Sequence, residues 1–360
     1  MNLKPYIQHA MFGACLGCLT LGVVVSAASA QSNALNPPKP GRSEALDRIL
    51  AAEKPLGDDS WRAQMLLSAF SQDAQQQPTQ NPPPQQRTSQ GWSKQQTSQA
   101  WAAKKLAGSP RRNEWVTIPN GNRKLKGWVV YPGARGKVPV VLVIHEVFGL
   151  TDSTRNTADE IAAMGYIAIT PDMLSGYGPN NGNSDSFEPP YSASDTNTGF
   201  SDDAVNSDLN AWADYAAKLP GSNGNLAIVG LSWGGGAAFR YVVTQHRKDL
   251  KLICVFYDVG PPAETQKYYL KNGPAAPMPV ADISVPVYGF YPSQDARPMK
   301  SIQATKDAMA GAGKTYDPVV YERAEHAFMR IGEDPANPNP ANAEAAKASL
   351  ARLEKLLKAM

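Results

Sequence analysis

Apolar and polar positions change rhythm twice along this chain, and the change at Asn113 matters most for the fold. From there onward short apolar runs alternate with stretches of helical periodicity. The runs Glu114–Ile118, Leu125–Tyr131, Val138–Ile144, Tyr166–Thr170, Leu226–Gly230, Leu252–Tyr257, Val285–Phe290 and Asp317–Glu322 predict strands. Helices are predicted over about Ser153–Met164, Asp202–Leu219, Trp233–His246, Lys300–Ala312 and Ala341–Lys358. The first strands follow one another with no helix between them, as at an antiparallel edge. The later ones are nearly all apolar and separated by helices, which predicts parallel strands buried on both faces. The expected class is therefore α/β, a mostly parallel, doubly wound sheet flanked by helices. In such sheets the ligand crevice lies beyond the carboxyl ends of the strands.

The segments before Asn113 follow other patterns. Lys4 precedes the apolar run at residues 11–25, and Ala28-Ser29-Ala30 supplies small residues before Gln31. This is the pattern of a secretory leader cut after Ala30, and it predicts a periplasmic or secreted protein. The apolar run falls short of the roughly 20 residues of a membrane span, so no stable span is expected after cleavage. An uncleaved anchor is the alternative. Cys15 and Cys18 sit inside the apolar run rather than at its end, the less suitable place for a lipid anchor. Residues 31–112 form a second region, and Ser71–Ala100 contains 11 glutamines among 30 residues. Such a stretch buries too little apolar surface to offset its ordering entropy, so the region is expected to be largely disordered. Ser43–Ala52 and Trp61–Phe70 have the spacing of short helices within it. The folded α/β body is expected in residues 113–360.

Composition then narrows the function classes. With 42% hydrophobic residues a sizeable core can form, and a net charge of +3 gives no reason to expect a nucleic-acid partner. Beyond residue 30 the sequence has Cys254 alone among cysteines, which excludes an internal disulfide or a cysteine-rich metal site there. Cys254 lies in the apolar run Leu252–Phe256 and reads as a small buried hydrophobe.

The chemistry concentrates in a few loops. Leu226-Ala227-Ile228-Val229 runs into Gly230-Leu231-Ser232-Trp233-Gly234, and a helical pattern follows. A G-x-S-x-G sequence between a strand and a helix is the setting of a nucleophile elbow, whose glycines avoid collisions around a strained serine. Ser232 needs a base to take its proton. Of His145, His246 and His326, only His326 follows the last strand and completes the order serine, acid, histidine. His246 reads as solvated surface, and His145 lies upstream at a strand end. Asp295 follows the Val285–Phe290 strand and is the preferred acid, with Asp258 as the rival after the preceding strand. Its work would be to fix the tautomer of His326. Two amides must also face the developing oxyanion, each worth roughly 3 kcal/mol of barrier. Trp233 would give one, and Val147 in the loop after Val138–Ile144 the other.

Taken together, His145-Glu146-Val147-Phe148-Gly149-Leu150, Gly165-Tyr166, Pro171-Asp172, the elbow and Glu325-His326-Ala327-Phe328 resemble the dienelactone hydrolases, or carboxymethylenebutenolidases, of the α/β-hydrolase superfamily. The resemblance covers residues 113–358 and implies cleavage of an ester or lactone through an acyl-enzyme. It implies a small-molecule substrate and neither metal nor organic cofactor. Members of the chlorocatechol type carry a cysteine where this chain has Ser232, so this is a serine variant. The resemblance also marks Glu146, which pairs with the resting thiol in those enzymes, and Arg330, which matches one of two carboxylate-holding arginines. The second would fall near Gly176, where this chain has no arginine. Gly176 opens a polar insert reaching Phe200 and expected on the rim of the site. Two other readings stand beside the leading one: a polysaccharide or polyester esterase, and a non-catalytic hydrolase-fold module that binds at the cell envelope.

Overall fold

A computed structural model describes residues 100–133, 136–187, 193–258 and 279–360. The leader, the patches at Ser43–Ala52 and Trp61–Phe70, and the glutamine-rich stretch up to Gln99 lie outside the described residues. The described body begins ahead of the Asn113 boundary, with helix α1 at Ala100–Ala107. Lys105 pairs with Glu160 and Glu333, and Arg111 pairs with Asp159, so charged side chains fasten this segment to the helix at Asp152–Ala163 and to Glu333.

Eight strands form one sheet: β1 Asn113–Asn120, β2 Arg123–Val130, β3 Val138–Ile144, β4 Ile167–Pro171, β5 Ser222–Leu231, β6 Leu250–Phe256, β7 Val287–Pro292 and β8 Tyr316–Tyr321. Their order is β1-β2-β4-β3-β5-β6-β7-β8. β1 and β2 pair antiparallel, β2 pairs antiparallel with β4, and every pairing from β4 through β8 is parallel. The antiparallel edge and parallel interior expected from the sequence are both present.

Alternation along the central strands explains why they are apolar throughout. Val140, Leu142 and Ile144 of β3 enter one buried cluster with Ile228 of β5, whereas Val141 and Val143 enter the other with Ala227 and Val229. Successive side chains point to opposite faces, so a strand covered on both sides has no polar face to show. α4 (Asp202–Lys218) and α5 (Trp233–Thr244) supply Leu209, Trp212, Phe239 and Tyr241 to the first cluster. α2 (Asp152–Ala163) and α9 (Pro340–Lys358) supply Ile161, Leu353 and Leu357 to the second. Between α2 and α4 lies the short α3 (Ala193–Thr198); between α5 and α9 lie α6 (Ala296–Met299), α7 (Ile302–Gly311) and α8 (Phe328–Ile331).

Helix ends follow from local chemistry. Ser201 accepts from the Ala204 amide at the start of α4, and Asp202 and Asp203 in its first turn complement the helix dipole. Asn339 caps α9 ahead of Pro340, whose fixed φ suits a first helical position. Ser232 starts α5 without a side-chain cap, because its hydroxyl is engaged elsewhere. Cys254 is fully buried in β6, and burial pushes its thiol up to about 12, so it is the inert hydrophobe its apolar run suggested. Among the described residues no helix is long and apolar enough to cross a membrane.

Candidate active site

The site is built where β5 turns into α5. Ser232 has φ 51° and ψ −118°, a backbone conformation that an ordinary side chain enters at a cost of about 1–3 kcal/mol. Two glycines make the turn possible. A Cβ on Gly230 would lie 2.1 Å from the Gly234 carbonyl oxygen, and one on Gly234 would lie 2.4 Å from that of Ile144. The Ser232 amide donates to the Phe256 carbonyl at 3.1 Å, which ties the strained residue to β6.

From there a hydrogen-bonded chain crosses three strand ends. Ser232 Oγ lies 2.9 Å from His326 Nε2, and His326 Nδ1 lies 2.6 Å from Asp295 Oδ2. His326 sits in the loop between β8 and α8, and Asp295 caps α6 just past β7, accepting from the Arg297 amide at 3.1 Å. Burial opposes ionisation of Asp295, but the bond and charge of His326, with Arg297, outweigh it and hold the carboxyl below its ordinary range. The rival Asp258 is fully buried and engaged elsewhere, accepting from the Gly236 amide at 3.2 Å in the first turn of α5. The Tyr257 ring meets the His326 ring edge-on, with centroids 5.1 Å apart, and forms one wall for the imidazole. His246 is exposed beyond the end of α5, as its charged surroundings suggested.

Glu146 and Arg330 come together beside this chain. Glu146 Oε2 accepts from Arg330 Nε at 2.7 Å, and Oε1 accepts from the Tyr257 hydroxyl at 3.2 Å. Both charged residues are almost fully enclosed. Burial and the neighbouring Glu146 charge drive the Tyr257 phenol well above its ordinary value, so it remains a neutral donor. Of the expected oxyanion donors, Trp233 belongs to one buried core cluster and Val147 packs against that cluster. Trp233 opens α5, where amides lack an intrahelical acceptor. Among the described residues no group of three or more His, Cys, Asp or Glu is arranged to hold a metal ion.

A sequence profile described as the dienelactone hydrolase family matches residues 125–360. The chain belongs to that family. Among curated relatives, a Salmonella typhi protein provisionally named carboxymethylenebutenolidase is 30% identical over 218 residues, covering 59% of this chain and 76% of the relative. An Escherichia coli K12 protein with the same provisional name is 30% identical over 217 residues, again 59% of this chain and 76% of the other. A crystal structure from Klebsiella pneumoniae subsp. pneumoniae MGH 78578, provisionally named dienelactone hydrolase, superposes with a TM-score of 0.53 at 26% identity. It covers 67% of this chain and 97% of its own. The α/β-hydrolase fold is thereby shown.

Several residues around the site escaped the sequence reading. Tyr257 directly follows the apolar strand β6, and a phenol just past the carboxyl end of such a strand was its available signal. Arg123, at the start of β2, fills the space beside Gly176: its Cδ lies 3.2 Å from where a Gly176 Cβ would stand. The Arg123 side chain thus passes Gly176 from β2 and carries its guanidinium to 4.4 Å from the centre of the Tyr177 ring, where it pairs with the buried Asp208. The polar insert also reaches inward. Ser184 Oγ accepts from the Leu150 amide at 2.8 Å, and Asn197 Nδ2 donates to the Val147 carbonyl at 2.8 Å. Nothing in local sequence announces these long-range contacts.

Proposed function

We propose that this member of the dienelactone hydrolase family is an exported serine enzyme that cleaves a carboxylic ester or lactone through an acyl-enzyme. The observation that carries the reading is the Ser232–His326–Asp295 chain, with bonds of 2.9 and 2.6 Å, at the carboxyl edge of the sheet. Asp295 holds the proton on His326 Nδ1, which leaves Nε2 as an acceptor facing the serine. Ser232 Oγ attacks the ester carbonyl carbon while Nε2 takes its proton. The carbonyl oxygen, now negative, lies between the amides of Trp233 and Val147. Collapse breaks the bond to the leaving oxygen, which receives the proton from His326. Water then attacks the acyl-serine by the same route, releasing the acid and restoring Ser232.

The charges around the site favour a neutral substrate. Arg330 is paired with Glu146 and Arg123 with Asp208, so a substrate carboxylate would have to compete with a protein carboxylate for either guanidinium. Export is supported by the leader pattern of residues 1–30. Steady-state hydrolysis of short nitrophenyl esters tests the proposal. Ser232→Ala should abolish turnover while the circular-dichroism spectrum stays unchanged. Equal turnover by the variant removes Ser232 from the mechanism.

A further inference from the structure

We infer that His145 and Asn197 are positioning residues that fix the Val147 amide in the oxyanion hole; this rests on the serine-hydrolase reading above. His145 is fully buried and stands outside the Ser232–His326–Asp295 chain. Its Nε2 accepts from the Met173 amide at 3.1 Å, and its Nδ1 lies 2.7 Å from the Glu146 carbonyl oxygen. A backbone amide only donates and a carbonyl only accepts, so both partners place the ring proton on Nδ1. His145 therefore donates to the carbonyl of the peptide joining residues 146 and 147. The Gly149 amide donates to the same oxygen at 3.2 Å.

In a trans peptide the carbonyl and the amide point to opposite sides of one rigid plane. Holding the Glu146 oxygen from one side consequently sets the direction of the Val147 N–H on the other. Asn197, buried in α3, grips the next carbonyl, that of Val147 itself, at 2.8 Å. The two peptide planes that meet at Val147 are thus each fastened by a side chain. His145 also stacks on the Trp233 ring, with centroids 5.7 Å apart and planes 19° from parallel. Trp233 carries the other oxyanion amide, so one imidazole ties the two halves of the hole together.

A donor displaced by even about 1 Å can cost on the order of 10²-fold in rate. His145→Phe keeps a ring against Trp233 and removes both hydrogen bonds. His145→Asn restores a donor near the place of Nδ1. Each is assayed for kcat and KM on a short nitrophenyl ester and for affinity toward an aryl trifluoromethyl ketone. That ketone adds to a catalytic serine and places an oxyanion in the hole. His145→Phe should lower kcat on the order of 10²-fold, weaken the ketone by a similar factor, and leave KM within about twofold. His145→Asn should recover most of both losses, and Asn197→Ala should weaken kcat and ketone affinity together by about tenfold.

Unchanged ketone affinity in His145→Phe overturns the inference, as does an Asn variant no better than the Phe variant. Should His145→Phe fail to fold, Asn197→Ala and the ¹⁵N spectrum of the wild-type imidazole decide. A neutral ring protonated on Nδ1 together with the parallel losses in Asn197→Ala supports it. A proton on Nε2, or unaltered ketone affinity in Asn197→Ala, overturns it. If the wild-type protein neither hydrolyses esters nor binds the ketone, the serine-hydrolase reading fails first, and this is seen before any variant is made.

Discussion

Replacing Arg330 by methionine removes the cation that balances Glu146 and leaves its carboxylate facing the Tyr257 hydroxyl at 3.2 Å. The relative exposures are 6% for Arg330 and 4% for Glu146, so water cannot easily take the place of the guanidinium. Breaking such a buried pair from one side costs about 3–5 kcal/mol, because the surviving charge stays desolvated. Removing both charges is far cheaper, so Glu146→Gln/Arg330→Met should recover more than half of that loss. A domain of this size shifts by about 2–4 °C in Tm per kcal/mol, which puts the single variant roughly 6–20 °C below wild type. Urea unfolding of the four members of the cycle measures the coupling directly. A cost under about 1 kcal/mol in Arg330→Met, or a double variant no more stable than the single, refutes the reasoning. The same protein tests selectivity. If Arg330 mainly balances Glu146, acidic and neutral esters should lose activity in Arg330→Met by similar factors; a loss confined to acidic esters would contradict this.

Two further outcomes separate neighbouring acids by their surroundings. Asp295→Asn should lower kcat on the order of 10⁴-fold while the fold persists, by analogy with the serine-protease aspartate, because an amide facing His326 Nδ1 favours the wrong tautomer. Asp258→Asn, which leaves that bond intact, should act on stability more than on kcat, and the reverse ranking in a kcat comparison would restore Asp258 as the acid. The second concerns the contacts of α1. Burial and the nearby Glu333 charge push the Glu160 carboxyl from 4.5 up to about 8, against the pull of Lys105. A carboxyl whose folded value lies above its unfolded one binds more protons when folded, so its effect on stability grows unfavourable as pH rises between those values. Glu160→Gln should therefore flatten the stability profile across that window and gain over wild type at pH 9 relative to pH 5; a variant that falls further behind as pH rises would disprove this.

Much of the fold was legible because its strands are buried on both faces and so carry no polar alternation to confuse them with surface. Val138–Ile144 reads as a strand for that reason, and its side chains lie in both core clusters. The Ser232 turn was legible through steric need, since Gly230 and Gly234 leave no room for a Cβ. His326 and Asp295 followed from chain order along the sheet edge. What stayed hidden depends on contacts between distant segments. Asn197 reaches Val147 across fifty positions of sequence, and Arg123 occupies the space beside Gly176 from the distant β2. Helix α1 was obscured by the glutamine-rich composition leading into it, and its fastening relies on Glu160 and Glu333, far along the chain. Local pattern carries no trace of such partners.

In the proposed mechanism the Ser232 oxygen becomes the covalent carrier of the acyl group. Intact-protein and peptide mass spectrometry after exposure to a fluorophosphonate reports on that oxygen directly. One adduct is expected, on the peptide bearing Ser232, lost in Ser232→Ala and slowed by Asp295→Asn. A stoichiometric adduct on any other residue, or an unmodified Ser232 in protein that is hydrolysing esters, would contradict it.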